Sequence, residues 1–359
     1  MKKTWMVAAV LAVALTAAGC TPEKEGPPGP DGPHAGPEEP EEAPRISPET
    51  GENLQVMGFD AEGRILAASS GTPEGSVLYA VDSGKGTAEE VVRTELMITE
   101  AESHPSGRLL LRLEAGEGEA HLRLIGAGTA EEDLIVESHD IAWSWNPDDW
   151  TELYITAFDE NWEYDVFLAD ASSGSLEEVE DAGPFPVWTE AGGVVEILDD
   201  GNLGDGGTLV DGSGKAISEN VLEFSTDGMM FAIAKASGDG SIDYMIGSGN
   251  GDWMPVLTLP AGEQWLGLLP AKILPAGPGQ FATLLPAETD AVAGVSKWQP
   301  AVISKRGILK SSAMVDSPVM TCSPEASVCL SGAMGEMLFD LADGTVVNWM
   351  EQLKGDSGK

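Results

Sequence analysis

Apolar residues in this chain are grouped into short runs rather than spread at helical spacing. They include "GRILAASS" (63–70), "GSVLYAV" (75–81), "GRLLLRLEA" (107–115), "AHLRLIG" (120–126), "TELYITAF" (151–158), "YDVFLAD" (164–170), "GTLVD" (207–211) and "SIDYMIG" (241–247). Each has strand length and is bounded by Gly, Asp, Ser or Asn, whose backbone freedom or short hydrogen-bonding side chains suit tight turns. The pattern predicts an all-β chain.

The runs also recur in pairs. The turn preceding each pair falls at Gly63, Gly107, Asp149, Gly192 and Gly228, so successive turns stand 44, 42, 43 and 36 residues apart. That interval suits a four-stranded unit in a radial repeat. A further member, "CSPEASVCLSG", puts Ala326 at the glycine position, 98 residues beyond Gly228 and room for two intervals. The member between them is faint, and "LPAGEQWLGLL" (259–269) and "GPGQFATLLPA" (277–287) are both candidates. Seven units is the preferred count and six the alternative. A lone unit would leave both sheet faces bare, whereas neighbours in a closed ring bury them.

The turns carry worn copies of a recognisable motif. "SHPSGRL" (Ser103, Pro105, Ser106, Gly107), "WNPDDW" (Asn146, Pro147, Asp148), "STDG" (Thr226, Asp227, Gly228) and "SPEAS" (Ser323, Pro324, Glu325) precede apolar strands, with later acidic or Gly-rich turns such as "VDSGKG" and "LADG". This arrangement resembles the "SPDGK" repeat of TolB-like, PD40-type (WD40-like) β-propellers of bacterial envelopes. The resemblance implies one β-propeller domain over residues 52–359. The small N-terminal domain of TolB itself has no counterpart in this sequence.

The first residues have a different character. "MKKTWMVAAVLAVALTAAGC" places two lysines before an apolar run and ends in small residues, the layout of an export signal over residues 1–19. Its end, "LTAAGC", resembles the lipobox of bacterial lipoproteins and implies lipidation of Cys20. Residues 20–51 form a Pro/Glu-rich tether: nine prolines and eight carboxylates stand between Thr21 and Thr50, with almost nothing apolar to offset the entropy of ordering. The expected mature protein is held at a cell membrane by its lipid, at the outer membrane if the cell has two, because Thr21 replaces the aspartate that resembles a retention signal. A formal net charge of −41, from 60 acidic and 19 basic residues, repels nucleic acid, so no nucleic-acid partner is expected.

Candidate chemistry is sparse. No compact catalytic or nucleotide-binding motif occurs, so no catalytic residue is assigned and none of His104, His121 or His139 is given a role beyond a turn or surface side chain. Metal ligands and cofactors are likewise not expected. Calcium is the one candidate ion, in the oxygen-rich loops 199–207 and 247–252. Cys322 and Cys329 would flank the turn that begins the last unit, and in an exported protein they are expected to form a disulfide. Trp150, Trp162 and Tyr164, set among acidic residues of "NPDDWTELYITAFDENWEYDVF", are the candidate binding surface. The functional expectation is a non-catalytic propeller that binds an envelope protein or glycan; the alternative is a surface-anchored hydrolase or lyase.

Overall fold

A computed structural model describes residues 54–351 apart from 73–74, 115–117, 127–132, 190–192, 199–205, 260–269, 291–293 and 326. The signal segment, Cys20 and the tether fall outside the described residues, as does most of the loop 199–207.

Among the described residues, antiparallel strands account for nearly all of the regular secondary structure. They are joined in chain order by tight hairpins whose chemistry repeats. In the first, the Asp60 N–H donates to the Arg64 carbonyl (2.9 Å) and the Gly63 N–H to the Asp60 carbonyl (3.1 Å). The Asp60 carboxylate caps the same turn by accepting from the Glu62 and Arg64 N–H groups at 2.9 and 2.8 Å. Gly63 takes φ +78°, a conformation in which a Cβ would be strained. At 104–108 the same backbone pattern recurs, with Gly107 at φ +82°. Of the two faint candidates for the missing repeat, the later one is realised: its turn closes by Ala276 N–H to the Gln280 carbonyl at 2.8 Å.

Among the described residues, hydrogen bonding divides the strands into six sheets, five of four strands and one of seven. The seven-stranded sheet is two units sharing Ala216–Thr226. The first half of that strand pairs with Gly207–Asp211, while its second half pairs with Phe231–Ala236. Asn220 takes φ +57° at the junction, a left-handed conformation that Asn tolerates better than most residues, and it bends the strand. Gly206 makes room for the bend, since a Cβ there would lie 2.7 Å from the Asn220 carbonyl carbon. Beyond it the two halves face each other. Val195 and Leu209 share a buried cluster with Ile233 and partly buried Met245, although a flat sheet spaces strands about 4.8 Å apart and would hold these side chains far from one another. Among the described residues, packing therefore distinguishes seven four-stranded units: 54–94, 97–137, 140–178, 187–221, 221–259, 274–310 and 320–348.

Apolar side chains from facing units fill the seams. Leu66, Leu78 and Leu111 bridge units one and two; Leu110, Leu122 and Leu153 bridge two and three. Phe281 and Tyr244 lie between five and six, and Phe339 and Leu284 between six and seven. The ring closes where Leu330 of the last unit, and Trp349 just after its final strand, pack with Leu54 and Ile65 of the first.

Candidate functional site: an aromatic patch and the ring axis

The strand Glu152–Phe158 alternates its faces, as a pleated strand must. Leu153, Ile155 and Ala157 join the core shared with unit two. Tyr154 and Phe158 point the other way, toward unit four, where Tyr154 lies 5.0 Å from Trp188 between ring centroids. Phe158 is buried at the centre of three exposed rings: Phe185 at 5.7 Å, Trp162 at 5.8 Å and Tyr164 at 6.2 Å. Phe185 comes from unit four's entry segment, so the patch crosses a seam.

Trp162 sits in a turn built like that at 60–64. The Asp159 carboxylate accepts from the Asn161 and Glu163 N–H groups at 2.8 and 2.9 Å, and the Trp162 N–H donates to the Asp159 carbonyl at 3.1 Å. Trp162 occupies the place of Gly63 and takes φ +63°. A left-handed backbone costs a non-glycine residue about 1–2 kcal/mol, and this ring remains 65% exposed. Asp159, Glu160, Glu163 and Asp165 surround it, all exposed.

The structure does not bring Trp150 to this patch. Trp150 lies in the turn at the opposite end of Glu152–Phe158, half-buried, with the Arg108 guanidinium 3.8 Å above its ring and its carbonyl accepting the Trp145 indole N–H at 2.8 Å. Sequence inspection missed Phe158 and Phe185. The available signal for Trp162 was the register Asp159-x-x-Trp162 against Asp60-x-x-Gly63.

Of the histidines, His104 is buried and joins two units. Its Nδ1 accepts the Ser106 N–H (3.0 Å), which leaves Nε2 protonated to donate to the Asn146 carbonyl of unit three at 2.9 Å. His121 stands 3.5 Å from the Asp133 carboxylate, which the Arg123 guanidinium holds below its usual range. In the loop 247–252, the Asp252 carboxylate accepts from the Ser248 N–H and hydroxyl, both at 2.8 Å. Among the described residues no group of three or more His, Cys, Asp or Glu is placed to hold a metal ion. Cys322 and Cys329 pair directly across neighbouring strands and are disulfide-bonded.

Charged side chains also stand on the strands Met97–Ser103 and Ala216–Thr226. The Trp143 indole N–H donates to the Glu102 carboxylate. Glu102 keeps access to solvent, yet the groups packed around it desolvate it and push its carboxyl up, against the hydrogen bond from Trp143 and the charge of Lys272. Burial pushes Glu223 up to about 7, again opposed by Lys272.

A family model, the YqgU-like 6-bladed beta propeller domain, matches residues 85–244. The uncharacterized protein lmo1340 from Listeria monocytogenes superposes with a TM-score of 0.67 at 15% identity, over 85% of this chain and 96% of that one. The chain is a β-propeller. Oligogalacturonate lyase from Vibrio parahaemolyticus shares the propeller at a TM-score of 0.55 and 14% identity, over 80% of this chain and 88% of the lyase. TolB from Acinetobacter baumannii aligns at 14% identity and a TM-score of 0.44, over 72% of this chain and 63% of TolB. No curated protein matches the chain. The family description's six blades equal the number of hydrogen-bonded sheets; the seventh unit of this propeller emerges from packing across the shared strand.

Proposed function

We propose that this propeller is a non-catalytic, lipid-anchored envelope protein that binds a basic segment of a partner protein through Trp162, Tyr164 and Phe185, the exposed rings set around buried Phe158. Trp162 carries the reading. A bulky ring kept in a glycine-type conformation, exposed and adding little to the core, is retained for something other than stability. Exposed aromatics are favoured anchors at protein interfaces, and the ring of carboxylates around them, on a chain of net charge −41, selects a cationic surface. The lyase among the neighbours shares 14% identity with this chain, which speaks to architecture alone.

The test is capture of partners from envelope extracts by the full chain, compared with Trp162→Gly/Tyr164→Ala. The variant is expected to keep its melting temperature within a few degrees and to lose capture of a basic protein that high salt also releases from the wild type. Equal capture by the variant, or retention of polysaccharide in place of protein, would refute the reading. Anchoring rests on Cys20. Fatty-acid labelling is expected in the wild type and absent from Cys20→Ser, and equal labelling of the two would exclude it.

A further inference from the structure

The seam that closes the ring holds a cavity separate from the aromatic patch. It measures about 580 Å³ and is lined by Leu54–Gly58 at unit one and by Val319, Thr321 and Leu330–Gly335 at unit seven. Buried Leu54 and Leu330 form its floor, and exposed Val319 and Met334 stand at its rim. The first strand of unit seven is only Met320–Cys322, and it meets unit one at Gly58, where a Cβ would lie 3.5 Å from the Thr321 methyl. The residues ahead of Gly58 are left with open space beside them. Across that space the turn 332–335 is drawn in, since a Cβ at Gly335 would stand 2.8 Å from the Val56 side chain. Trp349 fixes it there, donating its indole N–H to the Gly335 carbonyl at 2.8 Å and its backbone N–H to the Glu336 carbonyl at 3.1 Å.

The wall from unit one is a strand edge. A strand met face-on offers every second side chain, whereas Leu54, Gln55, Val56, Met57 and Gly58 line the cavity in unbroken succession. Among the described residues, Leu54–Phe59 pairs on one side only, with Ile65–Thr72. Its other edge carries backbone N–H and C=O groups that no strand takes up, and such an edge is a template for an added strand. The lining also lacks charge. Besides backbone, its polar groups are the Gln55 amide and the Thr321 and Ser331 hydroxyls, on a chain whose net charge is −41. A charged ligand would give up its hydration here with no opposite charge to replace it. The Glu336 carboxylate, next to the lining, accepts the Met334 N–H at 2.9 Å.

We propose that this cavity binds an uncharged, extended peptide segment of another protein, which adds as a strand to the open edge of Leu54–Phe59. Main-chain hydrogen bonds supply the attachment, and apolar side chains on one face of the segment enter between Val56, Leu330 and Met334. The edge from Leu54 to Gly58 is about 13 Å long at about 3.3 Å per residue, which matches a segment of about five residues. The unbranched thioethers of Met57 and Met334 adapt to the side chains presented. A segment seated here touches the first and last units together and straps the seam that no chain connection crosses.

Calorimetric titration of the full chain with acetyl-VTVTV-amide tests the site. This neutral peptide is expected to bind about ten-fold or more tightly than acetyl-VDVDV-amide or acetyl-VKVKV-amide, and high salt should leave its affinity unchanged. Strand addition is read by N-methylation. Methyl groups on the amides of peptide residues two and four, or instead on one, three and five, block opposite edges of the segment. One of these peptides should lose about ten-fold or more in affinity and the other should bind like the parent. Val319→Asp and Met334→Asp, both at exposed positions, should each weaken binding about ten-fold, and the methylated peptides keep the test valid if either variant fails to fold. Absence of binding, equal behaviour of the two methylated peptides, a charged peptide binding as tightly as the neutral one, or unchanged affinity in both variants would overturn the proposal. Loss of peptide binding in Trp162→Gly would place the segment on the aromatic patch and overturn it as well.

Discussion

The seam between units seven and one and the seam between units three and four do opposite things with aromatic residues. At the first, Trp349 is 1% exposed, packs with Leu54, Ile65 and Leu330, and donates its indole N–H to the Gly335 carbonyl at 2.8 Å. At the second, Phe185 is 57% exposed, Trp188 is half-buried, and the Trp188 backbone N–H reaches across to the Ser144 hydroxyl at 3.3 Å. Chain connectivity accounts for the contrast. Each unit is built from contiguous sequence, so the chain passes directly from unit three to unit four, but nothing covalent crosses from unit seven back to unit one. The uncrossed seam must be held by buried apolar surface. A crossed seam is free to display its rings.

The sharpest way to break this comparison is to truncate one aromatic on each side. Trp349→Ala is expected to cost about 3–5 kcal/mol, the range for removing a large buried ring, whereas Phe185→Ala should stay within about 0.5 kcal/mol, as exposed substitutions usually do. Urea unfolding of the two variants reads both values, and similar losses would mean that the seams are not distinct. A smaller effect is expected inside unit seven. Removing the Cys322–Cys329 bond by a double change to serine should lower stability by about 2 kcal/mol, near the low end for disulfides because the loop is short. Non-reducing peptide mapping of the exported chain should recover the linked pair, and two free thiols would contradict it.

Much of the architecture was legible because turn chemistry is local. Asp60 and Gly63 close a hairpin through contacts within five residues, and Cys322 and Cys329 lie opposite each other because a short turn sets their register. The shared strand was less visible. "AISENVLEFST" has no Gly or Pro to mark a boundary, and its bend depends on the backbone of Asn220 rather than on composition. The missing seven residues of spacing between Gly192 and Gly228 were its only trace. The candidate site was read in part. Trp162 and Tyr164 stood out by type, but Phe185 reaches them only after two units have been docked, and Trp150 departs because seven residues of extended strand separate the ends of Glu152–Phe158.

The strand Ala216–Thr226 belongs to two neighbours at once, with Val221 paired to Gly207 on one side and to Lys235 on the other. Elsewhere in the ring a unit can loosen at its outer edge while the next keeps its own ladder. Here, withdrawing the strand from unit four also strips the innermost strand from unit five, and the faces that meet at Val195, Leu209 and Ile233 part together. Two units counted by shape thus behave as one in opening, and the ring is divided less finely by its fluctuations than by its geometry.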